Sequence, residues 1–370
     1  MWVLIFGIAI IAFAAGFAYL CNRVYRLLPA ENRLAPKYKK WLRIFTAVCA
    51  VLIFVLFFCA LLGYVNAAIV VIHLTVFWLI ADLIFYIVKK LSGKRLFRLS
   101  SCVAVVTSFI YLVVGFALAN NVWVARYTVY TDKNVNLRVV MFADSHVGTT
   151  FSGEEFKEYV KQMQRYNPDI VVIAGDYVDD DTSRKDMIDA CKALGTLKTT
   201  YGVYYAFGNH DKGYYDNSGR GYTGDDLIAE LTKNGVTVLT DDIVDCGDFY
   251  VIGRNDKSEV ERGGGREDIG DLVSDIDNDK YSIVINHQPT DYAAESKANV
   301  DLVLSGHTHG GQMIPIGLIS DIFGLNDRVY GWEKRGNTNF IVTSGIADWA
   351  FKFKIGCVSE FVVIDVKQKT

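Results

Sequence analysis

The sequence predicts an α/β domain preceded by four transmembrane helices. Two observations lead to this fold class. First, the chain of 370 residues is half hydrophobic, and its longest apolar runs all precede residue 121. Second, from about residue 136 short apolar runs alternate with amphipathic segments, as strands and helices do in α/β domains. The length allows two domains, so we predict a membrane domain at 1–126 and an α/β domain at 127–370.

Four apolar runs in the first domain are each close to the roughly 20 residues that a helix needs to cross a bilayer. They are Trp2–Cys21, Leu42–Gly63, Ala67–Val88 and Ser101–Asn120. A cleaved signal peptide is the alternative for the first run, but its basic residues follow it rather than precede it. The third run contains His73 and Asp82, which we expect to contact neighbouring helices or to reach the membrane surface.

The charge distribution predicts the orientation of the membrane domain. Residues 1–126 carry 13 basic and 2 acidic side chains, a net charge of +11. The basic residues are concentrated in the loops 22–41 and 89–100, whereas the amino terminus and the link 64–66 carry no charge. Loops rich in lysine and arginine remain in the cytoplasm. We therefore expect a multi-pass protein of the cell membrane whose α/β domain is extracytoplasmic.

The second domain is acidic. It carries 25 basic and 39 acidic side chains, a net charge of −14. Binding to a nucleic acid backbone requires a basic surface, so we expect no nucleic acid partner.

Eight strands and three helices are predicted in the second domain. The strands are Leu137–Phe142, Ile170–Ala174, Val203–Phe207, Tyr250–Ile252, Ile283–Ile285, Leu302–Leu304, Phe340–Val342 and Phe361–Ile364. The helices lie near 154–165, 184–194 and 225–233, and the first begins with the capping-box spacing of Ser152 and Glu155. Segment 253–268, with three successive glycines and several charges, is predicted to be a flexible loop.

Histidine and carboxylate residues are concentrated directly after the predicted strands. Five of the six histidines lie in the motifs DSH (144–146), GNHD (208–211), NH (286–287) and GHTH (306–309). Ligands collect at the carboxyl ends of strands in α/β folds, so we expect these motifs to converge on one rim. Imidazole and carboxylate together suit borderline metals such as Zn, Fe and Mn. The sequence therefore predicts a site for two adjacent metal ions.

The ordered motifs DSH, GDYVDD, GNHD, NHQP and GHTHGGQ resemble those of the calcineurin-like metallophosphoesterases, and HTHGGQ is similar to a bacterial membrane-associated branch. The resemblance covers about residues 136–367 and leaves out the four-span region. It implies a β-sandwich flanked by helices and a hydrolase with two divalent or transition metal ions (Mn, Fe or Zn). A hydroxide that bridges both ions would attack phosphorus directly, without a covalent enzyme intermediate.

The resemblance also implies the metal ligands. Those of the first ion would be Asp144, His146 and His309. Those of the second ion would be Asn209, His287 and His307. Asp176 would bridge the two ions, because a carboxylate has two oxygens and neutralises charge between cations.

Two further residues have an implied catalytic role. His210 would hydrogen-bond the phosphoryl group or protonate the leaving oxygen, and Asp179 would hold the imidazole in the required tautomer. Asp211 is the alternative orienting carboxylate.

Weaker candidates lie in the loops. A solvated loop is the favoured interpretation over a substrate entrance for Tyr214, Tyr215 and Arg220. An exposed loop is favoured over a second phosphate site for Arg254, Arg262 and Arg266. The stretch 349–354 lacks the proline-rich turn that the family often carries before its last strand, which puts the usual substrate rim in doubt.

The resulting hypothesis is a membrane-anchored phosphoesterase acting on a phosphorylated small molecule, an envelope component or a lipid-linked substrate, with the lipid bilayer as its other partner. One alternative reverses the topology and gives a cytosol-facing pyrophosphatase of a nucleotide-linked lipid. The other is a non-catalytic, metal-dependent membrane sensor or scaffold, which would bind metal without turnover.

Overall fold

The computed structural model describes residues 2–29, 36–94, 96–215, 219–314 and 316–369. Glu31, Arg33 and Arg95, which belong to the basic loops, lie outside these residues. The chain forms two compact units, one of Met1–Phe116 with Ala350–Lys352, the other of Ala117–Trp349 with Phe353–Thr370. The division precedes residue 126, where the sequence placed it, because the first strand of the second unit already begins at Val122.

Four long helices form the first unit. They are α1 (Trp2–Leu27), α2 (Pro36–Leu62), α3 (Tyr64–Ser92) and α4 (Phe97–Asn120). Each contains a segment long and apolar enough to cross a membrane. The predicted link at 64–66 is wrong, because these residues form the first turn of α3. Gly63 alone separates α2 from α3, at a φ of 84° that favours glycine.

An ion pair between buried Arg23 and partly buried Asp82 joins α1 to α3 in this unit. Arg23 Nη2 lies 2.8 Å from Asp82 Oδ1, and the Tyr19 hydroxyl donates to Asp82 Oδ2 at 2.7 Å. Arg23 is 3 % exposed, so it is not a free charge of the loop 22–41 in which the sequence placed it. The His73 ring stacks on Tyr111 with centroids 5.4 Å apart. Both polar residues of the third span therefore contact neighbouring helices, as expected.

The second unit contains two six-stranded sheets. The order in the first sheet is β1 (Val122–Thr131), β12 (Ser359–Gln368), β2 (Leu137–Phe142), β3 (Ile170–Ala174), β4 (Val203–Ala206) and β5 (Val236–Leu239). The order in the second sheet is β10 (Gly331–Arg335), β11 (Thr338–Val342), β9 (Leu302–Ser305), β8 (Tyr281–Ile285), β7 (Phe249–Gly253) and β6 (Asp242–Asp245). All eight predicted strands are present, and the predicted α/β class is confirmed.

The two sheets pack face to face. Successive side chains of a strand point to opposite faces, so Val139 and Met141 of β2 join the core between the sheets, with Phe249 and Leu304 of the second sheet. The outer face of the first sheet is covered by α5 (Gly153–Gln164), α6 (Arg184–Leu194) and α7 (Gly224–Lys233). The second sheet is covered by α9 (Ile269–Leu272) and α10 (Tyr292–Lys297). The unit is thus a β-sandwich flanked by helices.

Local signals fix the helix starts. The Ser152 side chain accepts a hydrogen bond from Glu155 N, and the Glu155 side chain accepts from Ser152 N, which confirms the capping box. The predicted flexible loop is partly wrong, because it contains α8 (Lys257–Glu261), which begins at the cap Asp256. Elements absent from the prediction are β1, β5, β6, β10, α9, α10 and α11 (Ile316–Phe323).

Candidate metal centre

The predicted ligands lie at the carboxyl ends of parallel strands. Strands β2, β3 and β4 are parallel in one sheet, and β8 and β9 are parallel in the other. The loops of the two sheets meet at this edge, where His307 N donates to Asp144 Oδ1 at 2.8 Å. Close backbone passage requires glycine, because a Cβ on Gly175 would lie 2.6 Å from His287 Nδ1.

Asp144, His146 and His309 form a first buried group. Their candidate ligand atoms lie within 4.8 Å of one another. The His146 and His309 rings stack with centroids 5.3 Å apart. His146 is fully buried; its Nδ1 lies 3.2 Å from Asp179 Oδ2, whereas its Nε2 lacks a hydrogen-bond partner. A buried polar nitrogen without a partner costs free energy, so an external partner at Nε2 would stabilise the fold.

Asp176, His287 and His307 form a second group, and their candidate ligand atoms also lie within 4.8 Å of one another. Asn209 belongs beside it, because its Oδ1 lies 3.3 Å from His287 Nε2. Asp176 also reaches the first group, with its Oδ2 3.2 Å from His287 Nε2 and 3.8 Å from His146 Nε2. One carboxylate thus lies between the two histidine sets.

The second group has more acceptors than donors. His287 Nδ1 lies 2.7 Å from the Ala174 carbonyl oxygen, which only accepts, so Nδ1 carries the proton. In the neutral ring Nε2 then presents a lone pair towards the oxygens of Asp176 and Asn209. Converging lone pairs repel each other unless a proton or a metal cation lies among them. The bond from Nδ1 to a carbonyl is also the usual support of a metal-binding histidine. These residues therefore fit a metal ion.

The backbone at the site is strained. Five of the candidate ligands have positive φ angles between 35° and 71°. They are Asp144, His146, Asp176, His307 and His309. Non-glycine residues in this region cost about 1–3 kcal/mol each and cluster at functional sites. The chain therefore tolerates strain at the edge where the two groups lie.

Buried charges set the proton affinities of the second group. Burial and the charge of His287 lower the pKa of His307 to about 4. Burial alone would also lower the pKa of His287, but the Asp176 carboxylate raises it to about 10. A metal ligand must be neutral imidazole, so binding of a cation at His287 would release a proton.

A third group of Asp179, Asp180 and His210 adjoins the first two. His210 Nδ1 lies 2.6 Å from Asp180 Oδ2 and 3.2 Å from Asp179 Oδ1. Asp179 Oδ2 in turn lies 3.2 Å from His146 Nδ1. Asp180, which the sequence analysis did not select, therefore makes the shorter contact with His210. The three successive aspartates 179–181 contain this residue, but their spacing does not show which side chain turns towards the imidazole.

Asp211, the alternative orienting carboxylate, does not contact His210 with its side chain. Its carboxylate accepts hydrogen bonds from the backbone nitrogens of Asp176, Tyr177, Val178 and Gly208 at 2.6–3.0 Å. It therefore organises the two loops that carry Asp176 and Asn209. For His210, burial alone would lower the pKa, but the Asp179 and Asp180 carboxylates raise it to about 11. Nearby cations would lower it again.

A buried lysine and carboxylate support His309. Asp348 Oδ1 lies 3.7 Å from His309 Nδ1 and 3.2 Å from Lys354 Nζ. Lys354 is fully buried and also donates to the carbonyl oxygen of Ser344 at 2.7 Å. Gln312 donates to Asp348 at 3.1 Å. Sequence reasoning missed both charges, because Asp348 lies six residues beyond the end of strand β11, farther than the predicted ligands lie from their strands.

The weaker candidates have mixed outcomes. Arg220 is buried and donates to the backbone oxygen of Asp211, so it is not part of a solvated loop. Arg254 is buried against Glu295 at 3.3 Å, so the exposed-loop interpretation is also wrong for it. Tyr215 is 60 % exposed, and its ring centroid lies 4.9 Å from that of His210. Tyr215 therefore borders the accessible side of the site.

Trp349 borders His210 as well. Its ring centroid lies 6.1 Å from that of His210, and it is 37 % exposed. It begins the stretch 349–354 in which the expected proline is absent. Aromatic rings thus line the approach to His210 where the sequence left the rim in doubt.

Comparisons with known proteins identify chains similar to this one. The family described as calcineurin-like phosphoesterase matches residues 137–311. An uncharacterized metallophosphoesterase of Campylobacter jejuni is 29% identical over 242 residues, which cover 63% of this chain and 60% of that protein. A second relative, from Danio rerio, is named "Transmembrane protein with metallophosphoesterase domain". It is 29% identical over 244 residues, which cover 63% of this chain and 53% of the length of that protein. This chain therefore matches less than two thirds of the length of either relative.

One similar solved structure is that of a dimetal phosphatase from Danio rerio, with 12% sequence identity and a TM-score of 0.38. The match covers 56% of this chain and 87% of the phosphatase chain. Residues 137–311 thus match a calcineurin-like phosphoesterase domain, and the first unit contains four helices able to cross a membrane.

Proposed function

We propose that this protein is a membrane-anchored phosphoesterase with two metal ions, and that it hydrolyses a phosphoester of an envelope or lipid-linked substrate. The position of Asp176 supports the proposal most strongly. Its carboxylate lies within 3.8 Å of imidazole nitrogens on both sides. A pair of adjacent metal sites suits phosphodiester displacement, because two ions can stabilise both the attacking and the leaving oxygen.

The ligand assignment follows the two groups. Asp144, His146 and His309 would hold one ion, Asn209, His287 and His307 the other, and Asp176 both. The chemistry that such a pair supplies is an activated water for direct attack on phosphorus and stabilisation of charge on the phosphoryl oxygens.

The residues of the chain supply the rest of the mechanism. The backbone N–H of His210 donates to Asp176 Oδ1 at 2.9 Å, which fixes that carboxylate and leaves the imidazole free to face the rim. With 18 % of its side chain exposed, His210 is accessible to a leaving group. Held by Asp180 and Asp179, it would donate a proton to the leaving oxygen. Tyr215 and Trp349 would exclude water from its outer side.

Substitution of Asp176 tests the mechanism. In the full-length protein, Asp176→Asn should lower the rate of Mn²⁺-dependent hydrolysis of bis(p-nitrophenyl) phosphate by about a thousandfold, since several kcal/mol of transition-state stabilisation depend on the metal pair. Asp189→Asn, on the partly exposed surface of α6, is the matched control and should retain the wild-type rate. Wild-type turnover in Asp176→Asn would refute the mechanism. Bound metal without turnover in the unsubstituted protein would favour the sensor or scaffold.

The location of the domain is a second part of the proposal. The basic residues remaining outside the ion pair, such as Arg26, Lys39, Lys89 and Lys90, still favour a cytoplasmic position for both loops. The catalytic unit would then face outwards. Protease added to intact cells should cleave it there. Protection in intact cells and cleavage in inverted vesicles would favour the cytosol-facing pyrophosphatase instead.

A further inference from the structure

Helix α11 is apolar and exposed. Its sequence is IGLISDIF, and none of its residues is buried. Ile322 and Phe323 are 77 % and 73 % exposed. The α11 patch, as we call it, consists of Ile314, Ile316, Leu318, Ile319, Ile322, Phe323 and Leu325. A helix at the surface of a soluble domain normally directs its apolar side chains inwards, and contiguous exposed apolar patches mark interaction sites.

The patch carries almost no charge. Between Gln312 and Asn326 the only charged side chain is that of Asp321. An electrostatic partner, such as an acidic protein or an anionic lipid headgroup, would require lysine or arginine here. The chemistry of the patch therefore fits an apolar partner.

Both ends of α11 are fastened to loops that carry candidate metal ligands. Before the helix, a Cβ on Gly311 would lie 2.8 Å from Gly317 N, so the turn after His309 packs directly on the first residues of α11. After the helix, Asp327 N donates to the carbonyl oxygen of Pro289 at 2.9 Å, two residues beyond His287. The patch is therefore held in a fixed position beside the site.

The chain itself identifies the apolar partner. Four of its helices are able to cross a membrane. The last of them ends at Asn120, and the first strand of the catalytic unit begins at Val122. A bilayer is thus always within reach of this unit, at a far higher effective concentration than any soluble partner.

We propose that the α11 patch docks the catalytic unit on the bilayer by inserting into the boundary between headgroups and acyl chains. Apolar helices lie in this boundary with their side chains in the lipid, and without basic residues their binding depends on apolar area rather than on lipid charge. Docking would bring the rim of the site to the depth of lipid phosphate groups. This consequence rests on the proposed function and selects a phosphorylated lipid as the substrate class.

Photo-crosslinking tests the docking without using catalysis. The photoreactive residue benzoylphenylalanine replaces Ile322 in the full-length protein, which is reconstituted into phosphatidylcholine vesicles containing a fluorescent phospholipid. We expect a lipid adduct at position 322. The same residue at Val260 of α8, an exposed apolar position between two glutamates, is the matched control and should give none. The adduct at 322 should also form in the Asp176→Asn background, so a failure of the proposed hydrolysis does not affect the result.

A kinetic comparison tests the substrate class. The variant Ile322→Ser/Phe323→Ser should hydrolyse a phospholipid in vesicles at least about fivefold more slowly, and bis(p-nitrophenyl) phosphate at the wild-type rate. Because neither side chain is buried, the variant is expected to fold. Absence of a lipid adduct at 322, or an adduct between two copies of the chain, would overturn the docking. Equal loss on both substrates would overturn the link between the patch and a lipid substrate.

Discussion

The two units bury charged side chains in opposite ways. In the helical unit Arg23 has its partner within the protein, because it lies 2.8 Å from Asp82. The Tyr19 hydroxyl donates a hydrogen bond to the same carboxylate. In the catalytic unit the acceptor groups of Asp144, Asp176 and the surrounding histidines lie close together, and His146 Nε2 has no hydrogen-bond partner. A buried charge with an internal partner supports the fold, whereas a buried charge without one indicates a partner from outside.

The largest expected effect tests the paired charge. Arg23→Met leaves Asp82 uncompensated and should lower the stability of the helical unit by about 3–5 kcal/mol. The double variant Arg23→Met/Asp82→Leu should recover most of this loss, because it removes both charges. Thermal unfolding in detergent measures both changes. Arg98→Met, at an exposed position, is the control. A double variant as unstable as the single one would show that the cluster has a role beyond its own pairing.

The second effect tests the unpaired charges. Mn²⁺ at a hundred times its dissociation constant should stabilise the catalytic unit by about 2.7 kcal/mol, and a chelator should reverse the effect. Asp176→Asn should lose most of this stabilisation, whereas Asp189→Asn should keep it. Calorimetry of the full-length protein with and without Mn²⁺ provides the measurement. An equal shift in Asp176→Asn would mean that the cation binds elsewhere.

The third prediction concerns a buried carboxylate that has a charged partner within the protein and also lies near a candidate metal ligand. Asp348 is paired with Lys354 but also lies 3.7 Å from His309. Residues that orient metal ligands typically contribute 10–100-fold to metal affinity. Asp348→Asn should therefore weaken Mn²⁺ binding by about this factor in a chelator competition. The double variant Asp348→Asn/Lys354→Met, which removes the remaining buried charge, should regain stability but not affinity. Recovery of Mn²⁺ affinity in the double variant would show that the Asp348–Lys354 pair only stabilises the fold.

The smallest effect distinguishes two adjacent carboxylates. Asp180→Asn should slow the hydrolysis of a substrate with a poor leaving group by about tenfold. It should slow the hydrolysis of a substrate with a good leaving group much less, because Asp180 acts through proton donation by His210 and a good leaving group needs little protonation. Asp179→Asn should instead weaken metal binding, since Asp179 also contacts His146 at 3.2 Å. Identical profiles for the two variants would exclude this division of roles.

The sequence predicted those parts of the molecule that follow from local pattern. Strands β2 and β3 are matched to the residue, because both of their faces are buried and their apolar runs end at glycine or polar motifs. Strand β1 was missed because it follows α4 almost directly and was counted with the membrane domain. The exposed helix α11 was missed because its eight residues are too few to distinguish a helical period from a short apolar run.

Local sequence patterns could not predict which distant residues contact one another. The choice between Asp179, Asp180 and Asp211 depends on the direction in which each side chain leaves its loop, and adjacent positions give no information about this. Likewise, Lys352 and Lys354 stand in the same short stretch, but only Lys354 turns inwards to Asp348. Motif order was enough to identify the candidate ligands that the loops bring together, but not the charged side chains that contact those candidates.

The left-handed backbone at Asp144, His146, Asp176, His307 and His309 restricts any attempt to re-engineer this site. Valine and isoleucine are disfavoured there before their coordination chemistry is considered, because a branched Cβ opposes that conformation. Asparagine adopts it readily. A library confined to aspartate, asparagine, histidine and glycine at these five positions would therefore sample new metal preferences without selecting against folding.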